Sequence, residues 1–227
     1  MTRGDDLTVL ANALRRDRRR DPRAGRREYS QAALELADCC ERLLADGNAG
    51  AVVPALRKAV DRMTSALMYM DDSSGIVGTD LRHMMSLYAR ACVDAPPDQA
   101  GLARWLAALS FDGPGWPEIR LAEFVPALGA RGLSELSAEV ARRSAAAEPG
   151  SWGQLVAARD LREQLAEVSG DVDRHVAILA ENLNSARQCQ RIVVALRDQL
   201  KRRSQYMSIF AGKTECARQG SNLRPSA

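Results

Sequence analysis

The sequence predicts an all-α protein, organised as an irregular α-solenoid or array of antiparallel helix pairs with about nine helices. Apolar residues recur three and four positions apart along most of the chain, which is the period of one helix face. Runs of alternating β-branched residues, which would indicate strands, do not occur. Glycine and proline interrupt the helical pattern at short intervals, so successive helices are expected to be antiparallel neighbours.

Four apolar stripes predict the helices of the first half. In chain order they are Tyr29, Ala33, Leu36, Cys40 and Leu43; Val52, Leu56, Val60, Met63, Leu67 and Met70; Leu81, Met84, Met85, Tyr88 and Cys92; and Leu102, Trp105, Leu106 and Leu109. Asp46–Asn48 ends the first helix, and Pro96 and Pro97 follow the third because a residue before proline disfavours the helical conformation. Pro54 is assigned to the first turn of the second helix, where its missing N–H costs nothing.

The second half begins with a predicted rigid loop. Phe111–Ile119 reads FDGPGWPEI, which is too rich in glycine and proline for a helix, and a short helix is expected around Leu121–Leu128. The remaining stripes are Leu133, Leu136 and Val140; Leu155, Leu161, Leu165 and Val168; Val172, Val176 and Leu179; and Ile192, Val193, Leu196 and Leu200. Asp171 follows Gly170, the pattern of an N-cap after a C-terminal glycine.

Composition divides the chain into three parts. Residues 1–27 form an arginine-rich N-terminal segment predicted to be partly disordered, residues 28–206 a helical repeat domain, and residues 207–227 a disordered tail. The tail lacks helical periodicity, and Gly220-Ser221-Asn222 matches one translated frame of the T-arm of a transfer RNA gene. We therefore interpret the tail as read-through, a hypothesis that the genomic sequence around the stop codon would test.

The cysteines and the hydropathy predict a soluble, cytoplasmic protein. Five cysteines are scattered without a C-x-x-C pair, as is typical of reduced thiols that serve as small apolar residues. No apolar run approaches the roughly 18–20 residues that a membrane-spanning helix needs. Aromatic residues make up only 4% of the chain, so leucine, alanine, valine and methionine must build the core.

The stretch Asp71–Gly75, DDSSG, raises the question of a metal or phosphate site. An EF-hand loop starting at Asp71 would place Arg82 where the bidentate glutamate must be, and a P-loop would need a lysine that is absent after Gly78. Aspartate and serine are also the residues that accept hydrogen bonds from the first N–H groups of a helix. We interpret the stretch as a helix-capping corner, with a partner contact at Asp71, Asp72, Arg82 and His83 as the alternative.

Other chemistries find little support in the sequence. The two histidines, His83 and His175, have no Cys or His neighbour at ligand spacing, and no G-x-S-x-G motif occurs. We predict no catalytic residue, no metal site and no cofactor. Trp105 lies on an apolar stripe and is predicted to be core, whereas Trp116, between Gly115 and Pro117, either pins its loop or anchors a partner.

The arginine run suggests contact with nucleic acid. Residues 15–27 carry a net charge of +6, whereas the whole chain carries +3. The candidate phosphate contacts are Arg15, Arg16, Arg18, Arg19, Arg20, Arg23, Arg26 and Arg27. Against this interpretation stand the interspersed aspartates, the absence of nearby aromatics for base stacking, and the ratio of 29 arginines to three lysines, which a GC-rich genome explains. A solvated linker is the competing interpretation.

Several segments resemble the helical region that follows the zinc finger in bacterial SWIM zinc-finger proteins, a domain of unknown function. The resemblance covers roughly residues 29–199. Its most specific pieces are Asp71–Gly75, the run Pro96–Leu106, Pro114–Pro117 and Gly170–Asp173. It implies a cytoplasmic α-helical scaffold without assigned catalytic residues. The C-x-H half of the finger is absent here, since Leu81 and Asp173 stand two residues before the histidines, so zinc binding does not carry over.

From the sequence we predict a non-enzymatic helical scaffold that binds an unknown protein partner. A nucleic-acid-associated protein that uses Arg15–Arg27 as a basic arm is the alternative. The third hypothesis is an enzyme, which would require four side chains to converge in one pocket: Asp71, Asp72, Arg82 and His83.

Overall fold

The part of the protein that the structure, a computed structural model, describes consists of helices joined by turns and loops, and it comprises residues 3–15, 25–115, 117–148, 150–181, 186, 189–197 and 201. The helices are α1 (Arg3–Ala13), α2 (Arg26–Ala45), α3 (Ala49–Leu67), α4 (Ile76–Asp94), α5 (Gln99–Asp112), α6 (Leu121–Ala146), α7 (Trp152–Ser169) and α8 (Val172–Ala180). Residues 189–197 are helical as well, and these ranges contain no strand. The all-α prediction is confirmed.

Two compact units divide the chain, the first ending at Val168 and the second beginning at Ser169. In the first unit, α1 packs against α2 and α3, α2 against α3 and α4, α3 against α4, α4 against α6, and α5 against α6. Each pair joins helices one or two places apart in the chain, as in an array of helix pairs. The solenoid-like packing is not confirmed and stays a prediction.

The predicted stripes of α2 to α5 form the core of the first unit. All their residues are buried except Leu67, which packs against the core while partly exposed. Pro54 differs from its prediction, because α3 begins at Ala49 and the proline lies in its sixth position, on the exposed face. Because the apolar stripe begins at Val52, the sequence predicts a later start of α3 than the structure shows.

Helix α1 belongs to the first unit, although the helical domain was expected to begin at residue 28. Leu7, Ala11 and Leu14 are at most 1% exposed and belong to the core of the first unit. The Tyr29 hydroxyl donates to the Leu14 carbonyl at 3.0 Å, and Arg62 donates to the Ala11 carbonyl. These bonds satisfy carbonyl groups that the end of a helix leaves without intrahelical partners. Helix α1 is thus part of the fold, whereas residues 207–227 lie outside the described ranges.

Helix α6 is interrupted at Gly129, as the prediction of two helices in this region requires. Gly129 has φ 56° and ψ −172°, a conformation that is essentially restricted to glycine. The interruption follows Pro126, and the halves before and after it bury Phe124 and Leu136 respectively. Sequence and structure agree on this break.

The buried thiols act as packing groups. Burial raises the pKa of Cys40 to about 12, with Cys39 as a second cause, and burial raises the pKa of Cys92 to about 11. Both side chains therefore stay protonated and apolar at neutral pH. Cys39 is half-buried, Cys189 is exposed, and Cys216 lies outside the described residues.

An ion-pair cluster joins the C-terminal half of α6 to the end of α5. Glu139 accepts hydrogen bonds from Arg142 at 2.9 Å and from Arg143 at 2.7 Å, and Arg143 also donates to both carboxylate oxygens of Asp112 at 2.9 Å. The hydrogen bonds from Arg142 and then Arg143 lower the pKa of Glu139 to about 2.

We expect Glu139→Gln to lower the free energy of unfolding at pH 7 by about 0.5–1 kcal/mol, the usual value of a solvent-accessible pair. Because the folded-state pKa lies below the ordinary value of 4.5, the stabilisation is present above pH 4.5 and disappears as the pH falls through about 2. Urea unfolding of both proteins between pH 2 and 7 measures this. A difference that stays constant over that window would contradict the assignment, and Glu135→Gln, which removes a separate pair with Arg104, is the matched control.

Candidate functional site

The Asp71–Gly75 corner caps helix α4, as predicted. The Asp72 carboxylate accepts hydrogen bonds from the backbone N–H groups of Val77 at 3.1 Å and Gly78 at 2.8 Å. Asp71 accepts one from the N–H of Ser73 at 3.1 Å, and Gly75 turns the chain with φ 68°. Both oxygens of Asp72 thus satisfy first-turn donors of α4.

Replacing Asp72 by alanine should lower the free energy of unfolding by about 1 kcal/mol, because two N–H groups lose their acceptor. Thermal unfolding followed by circular dichroism measures the loss, and exposed Ser74→Ala in the same turn is the control. An unchanged Tm, or stoichiometric calcium or zinc released by the substitution, would contradict the capping assignment.

Polar contacts tie the corner to α2. The Ser30 hydroxyl donates to Asp80 at 2.6 Å, and the Arg26 guanidinium donates to the Asp71 carbonyl at 3.0 Å. Burial raises the pKa of Asp80, the Ser30 hydrogen bond opposes the rise, and the nearby Asp72 charge adds to it. Arg26, one of the candidate phosphate contacts, therefore has a structural partner in the fold.

The rest of the basic arm is only partly described. Arg15 and Arg27 are exposed. The other candidates, Arg16, Arg18, Arg19, Arg20 and Arg23, lie outside the described residues. Nucleic-acid binding through this arm stays a prediction.

Arg82 and His83 line a crevice of about 280 Å³ beside α4, together with the buried Met85 and Phe124. Its other lining residues are Thr79, Ser86, Glu118, Arg120 and Glu123. The Ser86 hydroxyl donates to Glu123 at 3.2 Å, and Arg82 donates to the Thr79 hydroxyl at 3.1 Å.

Two of the four residues of the enzyme hypothesis line the crevice, namely Arg82 and His83, which lie further along α4. The other two, Asp71 and Asp72, hold the turn before this helix. His83 lies 3.7 Å from the carboxylate of Glu41 on α2. Within the described ranges, no group of three or more histidine, cysteine, aspartate or glutamate side chains is arranged to hold a metal ion.

A larger depression lies between the loop after α5 and the start of α7. It has a volume of about 800 Å³, and we call it the Trp152 groove. Leu109, Phe111 and Ile119, all under 10% exposed, supply apolar lining on the α5 and loop side. Trp152, Val156 and Ala157 line the α7 side.

The loop that forms one wall is held by specific contacts. A Cβ on Gly113 would lie 2.3 Å from the Leu109 carbonyl oxygen, so only glycine fits there. At the other end of the loop, the Leu121 N–H donates to the Gln164 side chain at 2.7 Å, which ties the start of α6 to α7. Gln164 in turn donates to Asp160 at 2.8 Å. These contacts fix the two walls relative to each other.

The start of α7 exposes large apolar side chains. Trp152 is 77% exposed, Val156 61% and Leu155 48%. Leu155 was predicted to be buried, and this prediction is wrong. The buried residues of α7 lie later, at Ala158, Leu161 and Leu165. Periodicity identifies an apolar face but does not say whether the same chain covers it.

The sequence singles out a different tryptophan in this region. Trp116, predicted either to pin its loop or to anchor a partner, lies outside the described residues, although its neighbours Gly115 and Pro117 line the groove. Trp152 is not among the residues that the sequence singles out. The signal that could have found it is a tryptophan in the first turn of a helix, directly after a segment rich in glycine and proline.

The second unit also exposes apolar residues. Val193, Val194 and Leu196 are each at least 39% exposed, although Val193 and Leu196 were predicted to lie in a buried stripe. Asp171 caps α8 by accepting from the Arg174 N–H at 3.0 Å, which confirms the predicted N-cap.

Comparison of the chain with protein-family models, with curated proteins and with solved structures found no match. The resemblance to the helical region of SWIM zinc-finger proteins therefore rests on the sequence segments quoted for it. Among the described helices, none combines the length and apolar character that crossing a membrane requires.

Proposed function

We propose that this chain is a non-enzymatic helical scaffold that binds a protein partner through the Trp152 groove. The observation that carries the proposal is the 77% exposure of Trp152 beside an apolar groove of about 800 Å³. Exposed apolar patches on folded domains mark interaction surfaces, and tryptophan is the residue most enriched among binding hot spots. The proposal includes a cytoplasmic location and kinship with the helical region of SWIM proteins.

The geometry of the groove supports binding rather than chemistry. Its apolar walls come from two segments that Gln164 holds together, so a partner meets a preformed surface. Preformed sites bind at a lower entropic cost than sites that must be ordered on contact. Among the described residues that line the groove, the ionisable ones are Glu118 and Asp160.

The test is affinity capture from native lysate with the full chain as bait, in wild-type and Trp152→Ser forms. We expect a stoichiometric partner that wild type retains and Trp152→Ser loses. Val9→Ser removes an apolar side chain of similar exposure, 61%, on α1 and is the matched control that should keep the partner. Capture of the same proteins by all three baits would refute the proposal.

A further inference from the structure

One surface of the first unit carries both exposed apolar side chains and an apolar depression. The exposed side chains are at the start of α7, where Trp152 is 77% and Val156 61% exposed. The depression is the Trp152 groove of about 800 Å³, and a site of this volume can hold a drug-sized molecule, so it has room for an indole ring. A two-fold symmetric dimer needs such a surface, because each copy must present both the side chain that inserts and the site that receives it.

The charges at the groove do not call for a basic partner. Glu118 is exposed to solvent, and Asp160 accepts a hydrogen bond from Gln164 and has a further interaction within the fold. Neither carboxylate therefore requires a cation from outside the chain. The side chains that a partner would cover on α7 are apolar, and interfaces between identical chains are more apolar than other interfaces.

The exposed apolar area is small for one chain and doubles in a symmetric contact. A tryptophan buries roughly 150–250 Å² when it is fully covered, whereas a specific interface buries about 800 Å² on each partner. Trp152, Leu155 and Val156 of one chain are 77%, 48% and 61% exposed, so alone they supply only part of that area. A two-fold contact covers these three side chains on both copies. The resulting interface is at the small end of the usual range, which is typical of reversible association.

From these observations we infer that the partner at the Trp152 groove is a second copy of this chain. The inference rests on the proposed function and names its partner. In the dimer, the two α7 helices meet across a two-fold axis, and Trp152 of each copy enters the groove of the other. Leu155 is exposed but does not line the groove, and the inference assigns it to the contact between the two copies of α7 beside the axis.

The monomer is expected to fold without this contact. The hydrophobic core lies within a single chain and includes residues from α1 to α7. Dissociation therefore yields folded monomers, and a variant that cannot form the dimer remains a folded protein, which circular dichroism checks for each variant below.

Sedimentation velocity of the full chain over a series of concentrations tests the inference. We expect a shift from monomer to dimer with a dissociation constant in the micromolar range. Trp152→Ser should raise this constant at least about thirtyfold, because each dimer loses both tryptophan anchors. Val9→Ser removes a similarly exposed apolar side chain from α1 and should leave the constant unchanged.

Cysteine cross-linking locates the contact on the chain. Residues beside a two-fold axis lie close to their own copies, so Leu155→Cys should form an intermolecular disulfide on mild oxidation. The background carries serine in place of Cys39, Cys189 and Cys216, so that only the two buried thiols remain. Val9→Cys in the same background is the matched control and should stay unlinked.

Three results would overturn the inference: a chain that stays monomeric throughout the micromolar range, dimerisation that Trp152→Ser leaves unchanged, or a dimer in which Leu155→Cys links no better than Val9→Cys. In the lysate experiment, the dimer predicts that the captured partner is the untagged chain itself. A monomeric chain that captures a different protein through Trp152 overturns the dimer and leaves the proposed scaffold standing. A monomeric chain whose capture is indifferent to Trp152 refutes both.

Discussion

Replacing Trp105 by alanine lowers the free energy of unfolding by about 3–5 kcal/mol, the range for removal of a buried aromatic side chain. Trp105 is 8% exposed, and its ring centroid lies 5.0 Å from that of Tyr88 at an interplanar angle of 74°, an edge-to-face contact. Its indole N–H donates to Asp61 at 2.8 Å. The substitution removes both contacts and leaves a cavity between α3, α4 and α5.

Urea unfolding measures this loss, and two further variants divide it. Trp105→Phe keeps most of the ring packing but removes the N–H, so we expect a smaller loss; Asp61→Ala removes only the acceptor and should cost about 1–2 kcal/mol. Trp152→Ala is the matched control, because that indole is exposed and its loss should change stability by less than about 0.5 kcal/mol. A Trp105→Ala loss as small as that of Trp152→Ala would contradict the assignment of Trp105 to the core.

The second large effect is expected at Gly129, where Gly129→Ala should destabilise the protein by about 1–3 kcal/mol. With φ 56° and ψ −172°, the backbone stands in a region that side chains exclude. The new Cβ would also lie 2.8 Å from the Gln99 side-chain nitrogen. Backbone strain and a side-chain clash therefore act together.

A double variant separates these two causes. Gln99→Ala removes the side-chain contact, so the part of the loss that persists in Gly129→Ala, Gln99→Ala measures the backbone strain. Gly50→Ala in α3 is the control, since a Cβ there meets nothing within 4 Å and should be neutral or stabilising by about 0.5–1 kcal/mol. If Gly129→Ala leaves the Tm of the protein unchanged, α6 does not need the interruption.

The parts of the fold that could be predicted from the sequence are those where the apolar periodicity agrees with the positions of helix-capping and helix-breaking residues. The stripe from Tyr29 to Leu43 and the one from Leu81 to Cys92 are buried throughout, because other helices of the first unit cover those faces. The capping role of Asp72 followed from the chemistry of the residue and its place before an apolar run. Helix faces and helix caps depend on residues close in sequence, so the sequence is enough to predict them.

The parts that could not be predicted depend on neighbours distant in sequence. Leu7, Ala11 and Leu14 have helical spacing and are buried in the core. The arginine-rich composition beside them instead led to the prediction of a partly disordered segment. Trp152 and Leu155 have helical context as well, yet nothing local says that the first turn of α7 stays uncovered. The candidate groove is therefore a property of the packed helices, and a single stretch of sequence does not contain it.

The contrast between the two described indoles provides a built-in optical reporter. Trp105 is 8% exposed and Trp152 is 77% exposed, so a water-soluble quencher reaches the second and spares the first. With Trp116→Phe as the background, emission from Trp105 follows global unfolding, while a blue shift of Trp152 follows desolvation of the groove by a ligand. Folding and docking can thus be recorded on the same unlabelled molecule at different wavelengths.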